Sequence, residues 1–398
     1  MDGWDIISAE EKEDLQRMVK ETGVKNIPDY ISRKTKQWKD VHINIAIVGE
    51  TYVGKSTFIN QLRGLKEWDN GFASVGLGDT TLEPTPYENP YNANMVCWDL
   101  PGVGTLRFPK DDSYLETIKI DRYDFFVIIS DACFSENDAW LARNILNRGK
   151  PFSLVRTKLD EAMTNASYDG HKMEEVIPRI YKSCYDNLRK ANIREPKIFV
   201  ISNYEHEIGQ FDDLMNAVFE SLPDQKREAM VLSVGPLTHQ IIREKKKSLH
   251  KRVFMMGVIS AGASAVPFPG VDVVADLAII AHEIYFYMNE FGLDEESLRH
   301  LCKKTEIQYD QIIESLTDAK GLLKEKTVIK RLFMEVVKNQ AGEKMAGKFA
   351  KYIPLIGTIV SCTVSYGACI HFLRHEIDLL EKDAHTIIDL VIDKTVKK

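Results

Sequence analysis

The stretch that decides the fold is "IAIVGETYVGKSTFINQL", residues 45–62. Its apolar beginning runs into Gly49, and Gly54, Lys55 and Ser56 complete the pattern G-x-x-x-x-G-K-[ST]. The apolar run predicts a buried strand, and the residues from Lys55 onward predict a helix. Glycines in such a turn let backbone N–H groups approach phosphate oxygens closely, and the helix N-terminus adds its positive dipole end. The stretch therefore predicts a phosphate-binding loop.

The residues of this loop have separate predicted roles. Lys55 would reach the β- and γ-phosphates and take part in catalysis, and the Ser56 hydroxyl would coordinate Mg²⁺. The other predicted nucleotide contacts of the loop are Gly49, Glu50, Thr51, Val53, Gly54 and Thr57. The alternative is a glycine-rich strand-to-helix turn that holds no ligand. The complete motif between a strand and a helix favours phosphate binding.

A second segment, "WDLPGVG" at residues 98–104, places Asp99 at a strand end and Gly102 just beyond it. An acidic residue there would hold the magnesium shell through water, and the glycine N–H would contact a γ-phosphate. The alternative is an ordinary turn after a strand. Val103 follows Gly102 and cannot orient a water molecule as a glutamine can. We therefore expect slow intrinsic turnover, with a catalytic group supplied by another molecule or by the chain before this segment.

A third and a fourth segment point to the base of the nucleotide. "RTKLD" places Thr157, Lys158 and Asp160 after an apolar strand, and "ISN" places Ser202 and Asn203 at the end of another. A carboxylate at position 160 would accept two hydrogen bonds from N1–H and the exocyclic amine of guanine, while the lysine stem covers the base plane. A backbone N–H near Ser202 would meet the guanine O6. Each segment alone is an exposed loop by default, but together and in this order they favour guanine over adenine.

A threonine that closes over Mg²⁺ and the γ-phosphate is expected between the first two segments. The stretch "GLGDTTLEPTPY", residues 76–87, offers Thr80, Thr81 and Thr85. The spacing does not choose among them. Asp79, two residues before Thr81, is a candidate catalytic group.

Composition limits the class of protein. The chain has 398 residues, of which 44% are hydrophobic and 28% charged, with a net charge of −7, so a folded protein is expected and a general nucleic-acid binder is disfavoured. None of the six cysteines forms a CxxC pair, which predicts reduced thiols in a cytosolic protein rather than a zinc site. The acidic N-terminus predicts no secretory signal, and Asp2 predicts no N-myristoylation.

The apolar pattern divides the chain into three parts: a helical segment at 1–39, an α/β domain at 40–223 and a helical domain at 224–398. Apolar runs in the middle part predict strands at 41–48, 93–100, 123–130, 152–157 and 197–202. Amphipathic stretches between them predict helices at 55–63, 136–148, 172–191 and 209–221. Strands this apolar, alternating with helices, indicate a mainly parallel sheet covered on both faces. The last part predicts helices at 226–250, 273–290, 294–302, 306–325 and 374–392.

Three stretches of the helical part bear on membranes. Residues 253–271 and 352–373 contain no Asp, Glu, Lys or Arg, and each is near the length of a bilayer span. Their prolines and small polar residues favour buried helices packed against each other. The basic cluster "REKKKSLHKR", residues 243–252, indicates either a solvated helix face or attraction to anionic lipid headgroups.

The stretches "GETYVGKSTFINQLRG", "TPYENPYNANMVCWDLPGVGT", "TKLD", "ISN" and "VPFPGVDVVADLAIIAHEI" together resemble the immunity-related GTPases, the interferon-inducible GTPases of vertebrates. The resemblance covers about residues 1–395 and belongs to the branch with lysine in the phosphate loop. It implies a Ras-like P-loop G domain with a mainly parallel sheet, plus an all-α domain built from N- and C-terminal segments. Aligned on the "PY" that follows, it implies that Thr81 is the metal-binding threonine and Asp79 the acidic residue before it.

The resemblance also implies an activity. It implies a dynamin-like enzyme that binds GTP and GDP with Mg²⁺ and hydrolyses GTP. It implies GTP-dependent self-assembly through the G domain and pairing with related GTPases. It implies a cytoplasmic protein peripherally associated with the endoplasmic reticulum, Golgi or pathogen-containing vacuoles, and a role in cell-autonomous immunity. Two alternatives stay open: a nucleotide-gated regulatory module with negligible turnover, and a P-loop ATPase or kinase, which Asp160 disfavours.

Overall fold

The computed structural model describes residues 36–75, 83–104, 108–132, 134–193, 196–264, 271–323 and 366–396, together with Arg17 and Glu21. The chain divides into two compact units. One is Trp38–Ile241, and the other combines Met1–Gln37 with Ile242–Lys398. The division expected from the sequence, with boundaries after residues 39 and 223, stays a prediction. Most of the helical segment predicted at 1–39 lies outside the described residues.

The first unit is built on a six-stranded sheet with the order β2-β3-β1-β4-β5-β6. The strands are β1 (Ile43–Val48), β2 (Thr85–Asn89), β3 (Asn92–Asp99), β4 (Phe125–Ser130), β5 (Phe152–Arg156) and β6 (Ile198–Val200). All neighbours pair in parallel except β2, which is antiparallel to β3. The mainly parallel sheet expected from the apolar runs is therefore confirmed.

Helices cover both faces of this sheet. The α-helices of the unit are α1 (Lys55–Leu62), α2 (Asp112–Ile118), α3 (Glu136–Asn147), α4 (Leu159–Tyr168), α5 (Val176–Lys190), α6 (Phe211–Ser221) and α7 (Asp224–Ser233). On β1, Ile45 and Ile47 point into one hydrophobic core, which residues of α1, α6 and α7 complete. Ala46 and Val48 alternate to the opposite face and join a core with α2, α3 and α5. Both faces are buried, which is why β1 is apolar throughout.

The structure adds elements that the sequence pattern did not predict. Strand β2 contains Pro86, which cannot donate a ladder hydrogen bond and therefore disfavours a strand assignment. An edge strand tolerates it. Helix α2 is too short for a periodic signal, and α4 buries only Leu159, so its apolar stripe is weak. The helix predicted at 172–191 begins as a 3₁₀ turn, Met173–Glu175, before α5.

The second unit is helical where it is described. Its α-helices are α8 (His239–Ser264), α9 (Val271–Glu290), α10 (Glu295–Thr305), α11 (Tyr309–Ser315) and α12 (Tyr366–Val396), the first of which starts just inside the other unit. The single helix expected at 226–250 is wrong, because α7 ends before Pro236 and α8 begins after it. Most of 352–373 lies outside the described residues. Among the helices of the described ranges, none has both the length and the apolar composition for a bilayer span.

The basic cluster at 243–252 lies in α8, and neither predicted role applies to its two buried members. Lys245 is buried and pairs with Glu290 at 2.6 Å. Arg252 is buried and pairs with Glu283 at 2.7 Å. These cations are neutralised inside the helical unit, so neither forms a solvated face nor reaches a lipid surface. The exposed members of the cluster are Arg243, Lys247 and Lys251.

Candidate functional site

The predicted site residues gather at the carboxyl edge of the parallel strands. β1 lies between β3, which follows it along the chain, and β4, which comes after β3. The chain leaves the end of β1 toward β2 and β3 on one side, whereas it leaves the end of the neighbouring strand β4 toward β5 on the other. In open α/β sheets, a ligand crevice forms outside the strand ends at such a switch point. The predicted phosphate loop follows β1 directly.

Two glycines of the predicted phosphate loop stand where a side chain would not fit. A Cβ on Gly49 would lie 2.1 Å from the carbonyl oxygen of Ile129. Gly54 is the N-cap of α1 with a φ of 94°, in the left-handed region that favours glycine. A Cβ there would lie 3.0 Å from the side-chain nitrogen of Asn203. The tight turn therefore depends on the glycines that define the motif.

The Lys55 side chain folds back over its own loop. Its Nζ donates to the carbonyl oxygens of Gly49 at 3.0 Å and Glu50 at 2.9 Å. Of the other predicted contacts, Val53 is buried, Ser56 and Thr57 are partly buried, and Glu50 and Thr51 are exposed. The ammonium is thus held beside the backbone of the predicted phosphate loop.

Asp99 and Gly102 lie next to this loop. Leu100 N–H donates to Ile47 at 2.9 Å, which extends the β1–β3 pairing past buried Asp99. A Cβ on Gly102 would lie 3.2 Å from the carbonyl oxygen of Gly49, so the two glycines meet backbone to backbone. Val103 is 6% exposed and belongs to a hydrophobic core, which keeps its side chain away from solvent.

The predicted guanine segment is tied to the phosphate loop. Thr157 is buried, and its hydroxyl donates to the Val53 carbonyl at 2.6 Å. Lys158 has a φ of 56°, caps α4, and its Nζ lies 2.6 Å from Asp131 Oδ2. Asp160 is in the first turn of α4 and is partly buried. The segment thus projects an acid and a lysine from the same turn.

The last segment contacts the phosphate loop as well. The Asn203 side-chain nitrogen donates to the Gly54 carbonyl at 3.2 Å. Its Oδ1 is buried and accepts no hydrogen bond from the described residues. The Ser202 hydroxyl accepts the N–H groups of Tyr204 and Glu205, both at 3.1 Å, and so shapes the turn after β6.

The charge of Glu50, in the phosphate loop, also acts on Asp138 in the first turn of α3. Ser135 and Asp138 form a capping box at the start of α3. Burial raises the pKa of Asp138, hydrogen bonds from Ser135 lower it, and the charge of Glu50 raises it further, so the pKa ends above its ordinary value. The loop and the α3 N-terminus therefore share one electrostatic environment.

Not every predicted residue can be located. Asp79, Thr80 and Thr81 lie outside the described residues. Thr85, the third candidate threonine, begins β2 opposite Asp99, and its hydroxyl donates to the Glu83 carbonyl at 3.0 Å.

Sequence reasoning overlooked Asp131. This residue directly follows β4 and pairs with the lysine of the guanine segment. An acidic side chain immediately after a buried parallel strand was the signal that pointed to this edge.

Comparison with known proteins decides the family. Residues 8–390 match the family model for "Interferon-inducible GTPase (IIGP)". The chain belongs to this interferon-inducible GTPase family. It is 34% identical over 337 residues to Interferon-inducible GTPase 1 of Mus musculus, covering 83% of this chain and 81% of that protein. It is 30% identical over 388 residues to Interferon-inducible GTPase 5 of Bos taurus, covering 96% and 82%.

A third relative carries a different name. The chain is 31% identical over 383 residues to T-cell-specific guanine nucleotide triphosphate-binding protein 2 of Mus musculus, covering 94% of this chain and 88% of that protein. The resemblance first noted on sequence motifs is therefore confirmed. As a member of the interferon-inducible GTPase family, the chain is an enzyme that binds guanine nucleotides and hydrolyses GTP.

Proposed function

We propose that one guanine nucleotide spans the carboxyl edge of the sheet, with its phosphates at residues 49–57 and its base at Asp160. One pair of contacts carries this proposal. The hydroxyl of Thr157 and the amide of Asn203 each donate to a carbonyl of the phosphate loop, at Val53 and Gly54 respectively. Two loops that bind opposite ends of one ligand need a fixed distance between them, and these contacts supply it.

The residues present fit a nucleotide with Mg²⁺. Gly49 and Gly102 let the phosphate loop pack directly against the main chain of neighbouring segments, where a side chain would meet main-chain oxygen. The Ser56 hydroxyl and the Asp99 carboxylate are hard oxygen donors, which Mg²⁺ prefers, and Thr81 is the proposed third. When bound, Mg²⁺ neutralises charge on the β- and γ-phosphates.

Side chains and backbone groups of the protein then position the nucleotide and stabilise its charge. The Lys55 ammonium leaves its loop carbonyls for phosphate oxygens, and the N–H of Gly102 contacts the γ-phosphate. Asp160 selects guanine by accepting hydrogen bonds from N1–H and the amino group. The buried Val103 cannot hold the attacking water, so intrinsic turnover is slow. Asp79, or a group from a second molecule, completes the site.

Self-assembly through the G domain is the proposed way in which a second molecule completes the catalytic set. We propose that a second copy, or a related GTPase, supplies or orders the missing group, so that hydrolysis accelerates as GTP-bound chains pair. Phosphate release per molecule, recorded with light scattering after GTP addition, should rise with protein concentration. A rate that is independent of concentration contradicts activation by pairing.

The nucleotide site has its own test. Replacing Lys55 with Ala should weaken GTP binding by at least about 100-fold, because charge-assisted phosphate contacts are lost in a partly buried loop. Lys190→Ala, at the exposed end of α5, is the matched control and should bind GTP as the parent chain does. Calorimetry with Mg²⁺ measures both. Unchanged affinity in Lys55→Ala would refute the site.

The cellular role is proposed from the family. We propose that GTP-loaded chains associate peripherally with intracellular membranes, including vacuoles that enclose pathogens. Flotation with liposomes of graded anionic lipid content, with GTP or GDP, tests membrane association directly. Recruitment of the tagged chain to vacuoles in infected cells tests the immune role, with Lys55→Ala as the nucleotide-free comparison. Failure of both the GTP-loaded and the GDP-loaded chain to float contradicts the proposal.

A further inference from the structure

One acidic residue at the site edge has no part in the nucleotide scheme. Asp131 follows β4, and its Oδ2 lies 2.6 Å from the ammonium nitrogen of Lys158. Both side chains are partly exposed, at 31% and 30%. The lysine belongs to the guanine segment, whereas Asp131 belongs to no recognised nucleotide motif. The short distance is typical of a charge-assisted hydrogen bond.

Both partners stand on backbone that the sheet holds in place. β4 and β5 pair in parallel with Ser130 opposite Arg156, which brings the next residues of each strand alongside. Thr157 N–H donates to the Ser130 carbonyl at 2.9 Å and continues this pairing. The Ser130 hydroxyl accepts the N–H of Ala132 at 3.2 Å, which fixes the turn at Asp131. The carboxylate is therefore presented to the lysine by rigid structure.

The lysine needs such a partner. Its side chain has four rotatable bonds and starts from a left-handed backbone position at the start of α4. An unpaired lysine there would sample many rotamers and cover the base plane only part of the time. A partly exposed ion pair contributes little to folding stability, so its main effect is to pre-organise the lysine for a ligand.

We propose that Asp131 is a positioning residue that holds Lys158 in place for the guanine base. This inference rests on the proposed nucleotide site. Asp131 acts through the lysine and does not itself contact the nucleotide. Since GTP and GDP share the same base, removing the Asp131 carboxylate should weaken the binding of both nucleotides equally. Uniform weakening raises KM and leaves kcat unchanged. Selectivity for guanine should not change, because Asp160 reads the base edge.

The test is a double-mutant cycle on the full chain. Dissociation of fluorescently labelled GDP and GTP is measured for Asp131→Asn, Lys158→Met and the double variant. We expect Asp131→Asn to speed release of both nucleotides about 3- to 10-fold, the range for a charge-assisted contact that is partly exposed to solvent. In the Lys158→Met background the same change should have no further effect. Asp169→Asn, at the exposed C-cap of α4, is the matched control.

One further variant and one further measurement distinguish a positioning role of Asp131 from a role in folding. Asp131→Glu keeps the carboxylate and should restore release to within about 2-fold of the parent chain, and thermal unfolding of every variant reports the fold. The inference is overturned if Asp131→Asn releases nucleotide at the parent rate. It is also overturned if Asp131→Asn speeds release by the same factor in the Lys158→Met background as in the parent chain. A parent chain that binds no guanine nucleotide refutes the proposed function instead.

Discussion

The hydroxyl of Thr157 lies 2.6 Å from the carbonyl oxygen of Val53 and donates a hydrogen bond to it across 104 residues of chain. This contact joins the loop after β5 to the loop after β1. Thr157 is fully buried, so water does not compete for the bond. The same hydroxyl lies 3.3 Å from the Ser130 carbonyl, so one side chain contacts both the phosphate loop and the end of β4. The guanine segment and the phosphate loop are therefore joined directly by a buried hydrogen bond.

Replacing Thr157 with Val should separate these two loops. Valine keeps the shape but leaves the Val53 carbonyl without its donor, which costs about 1–3 kcal/mol when the group is buried. We expect a matching loss of unfolding free energy in urea and weaker binding of both GTP and GDP by calorimetry. Thr157→Ser keeps the hydroxyl and should restore most of both. A valine variant that binds as the parent chain does would contradict the mechanical link.

Replacing Asp160 with Asn should change which purine is bound. The carboxylate offers only acceptors, which match the N1–H and amino group of guanine. An amide offers one acceptor and one donor, which match the N1–H and the C2 carbonyl of xanthine. We expect GTP affinity to fall by about 100-fold, since the bond to N1–H loses its charge assistance and the guanine amino group meets an amide donor instead of an acceptor, and XTP affinity to rise.

Competition of GTP, XTP and ATP against a labelled nucleotide measures this change. Glu161→Gln, on the next residue of α4 and exposed, is the control and should keep the parent preference. If the Asp160→Asn chain still prefers GTP over XTP, a residue other than Asp160 recognises the base.

The parts of the fold that the sequence predicted share a physical basis. Buried parallel strands must be apolar on both faces, so β1, β4 and β5 stand out as apolar runs, whereas β3 buries mainly alternate residues. The glycines of the phosphate loop have no alternative at their positions. The edge strand β2 is half exposed and contains Pro86, so its composition resembles a loop. Composition alone cannot distinguish an edge strand from a loop, because what makes β2 a strand is its hydrogen-bonded pairing with one neighbour, β3.

The predictions made for charged residues were wrong for a related reason. A run of lysines and arginines predicts solvent exposure, because an isolated buried charge is costly. Lys245 and Arg252 are buried because acids on α9, dozens of residues away, neutralise them. Asp131 was overlooked in the same way, since its partner Lys158 lies in the loop after the neighbouring strand β5. Sequence shows each charge but not its partner.

Arg252 and Glu283 form a buried, bidentate ion pair in the helical unit. The guanidinium donates to both carboxylate oxygens, at 2.7 and 2.8 Å, and both residues are buried. Burial alone would raise the pKa of Glu283, but Arg252 and then His282 more than offset it, so the pKa falls to about 2. Because this pKa lies below its ordinary 4.5, the pair's stability is present above pH 4.5 and is lost as pH falls toward 2.

Removing one partner of this pair should cost more than removing both. Glu283→Gln leaves Arg252 buried without its counter-charge, and we expect a loss of about 3–5 kcal/mol in unfolding free energy. The double change Arg252→Met with Glu283→Leu removes both charges and should recover most of that loss, since apolar side chains of similar volume pack in their place. Urea unfolding at pH 7 measures all three chains. If the double variant is no more stable than Glu283→Gln, the buried charge is not the cause.

Glu376 on α12 should make the helical unit less stable as the pH rises. The residue is 4% exposed, and its Oε1 has no hydrogen-bond partner among the described residues. Burial, and then the charge of Asp318, raise its pKa to about 7. Below the ordinary value of 4.5 the carboxyl is protonated in both the folded and the unfolded chain. Between 4.5 and about 7 the unfolded chain loses the proton first, so stability falls with rising pH and is lost once pH passes 7.

Glu376→Gln cannot lose that proton and should escape this decline. We expect its Tm at pH 8 to exceed that of the parent chain by about 3 °C or more, whereas the difference should shrink toward zero at pH 4.5. Subtracting the parent curve from the variant curve cancels the titrating groups that do not interact with Glu376. Glu314→Gln, an exposed carboxyl on α11, should follow the parent chain at each pH. A Tm difference that does not depend on pH would mean that Glu376 titrates alike in the folded and unfolded chain.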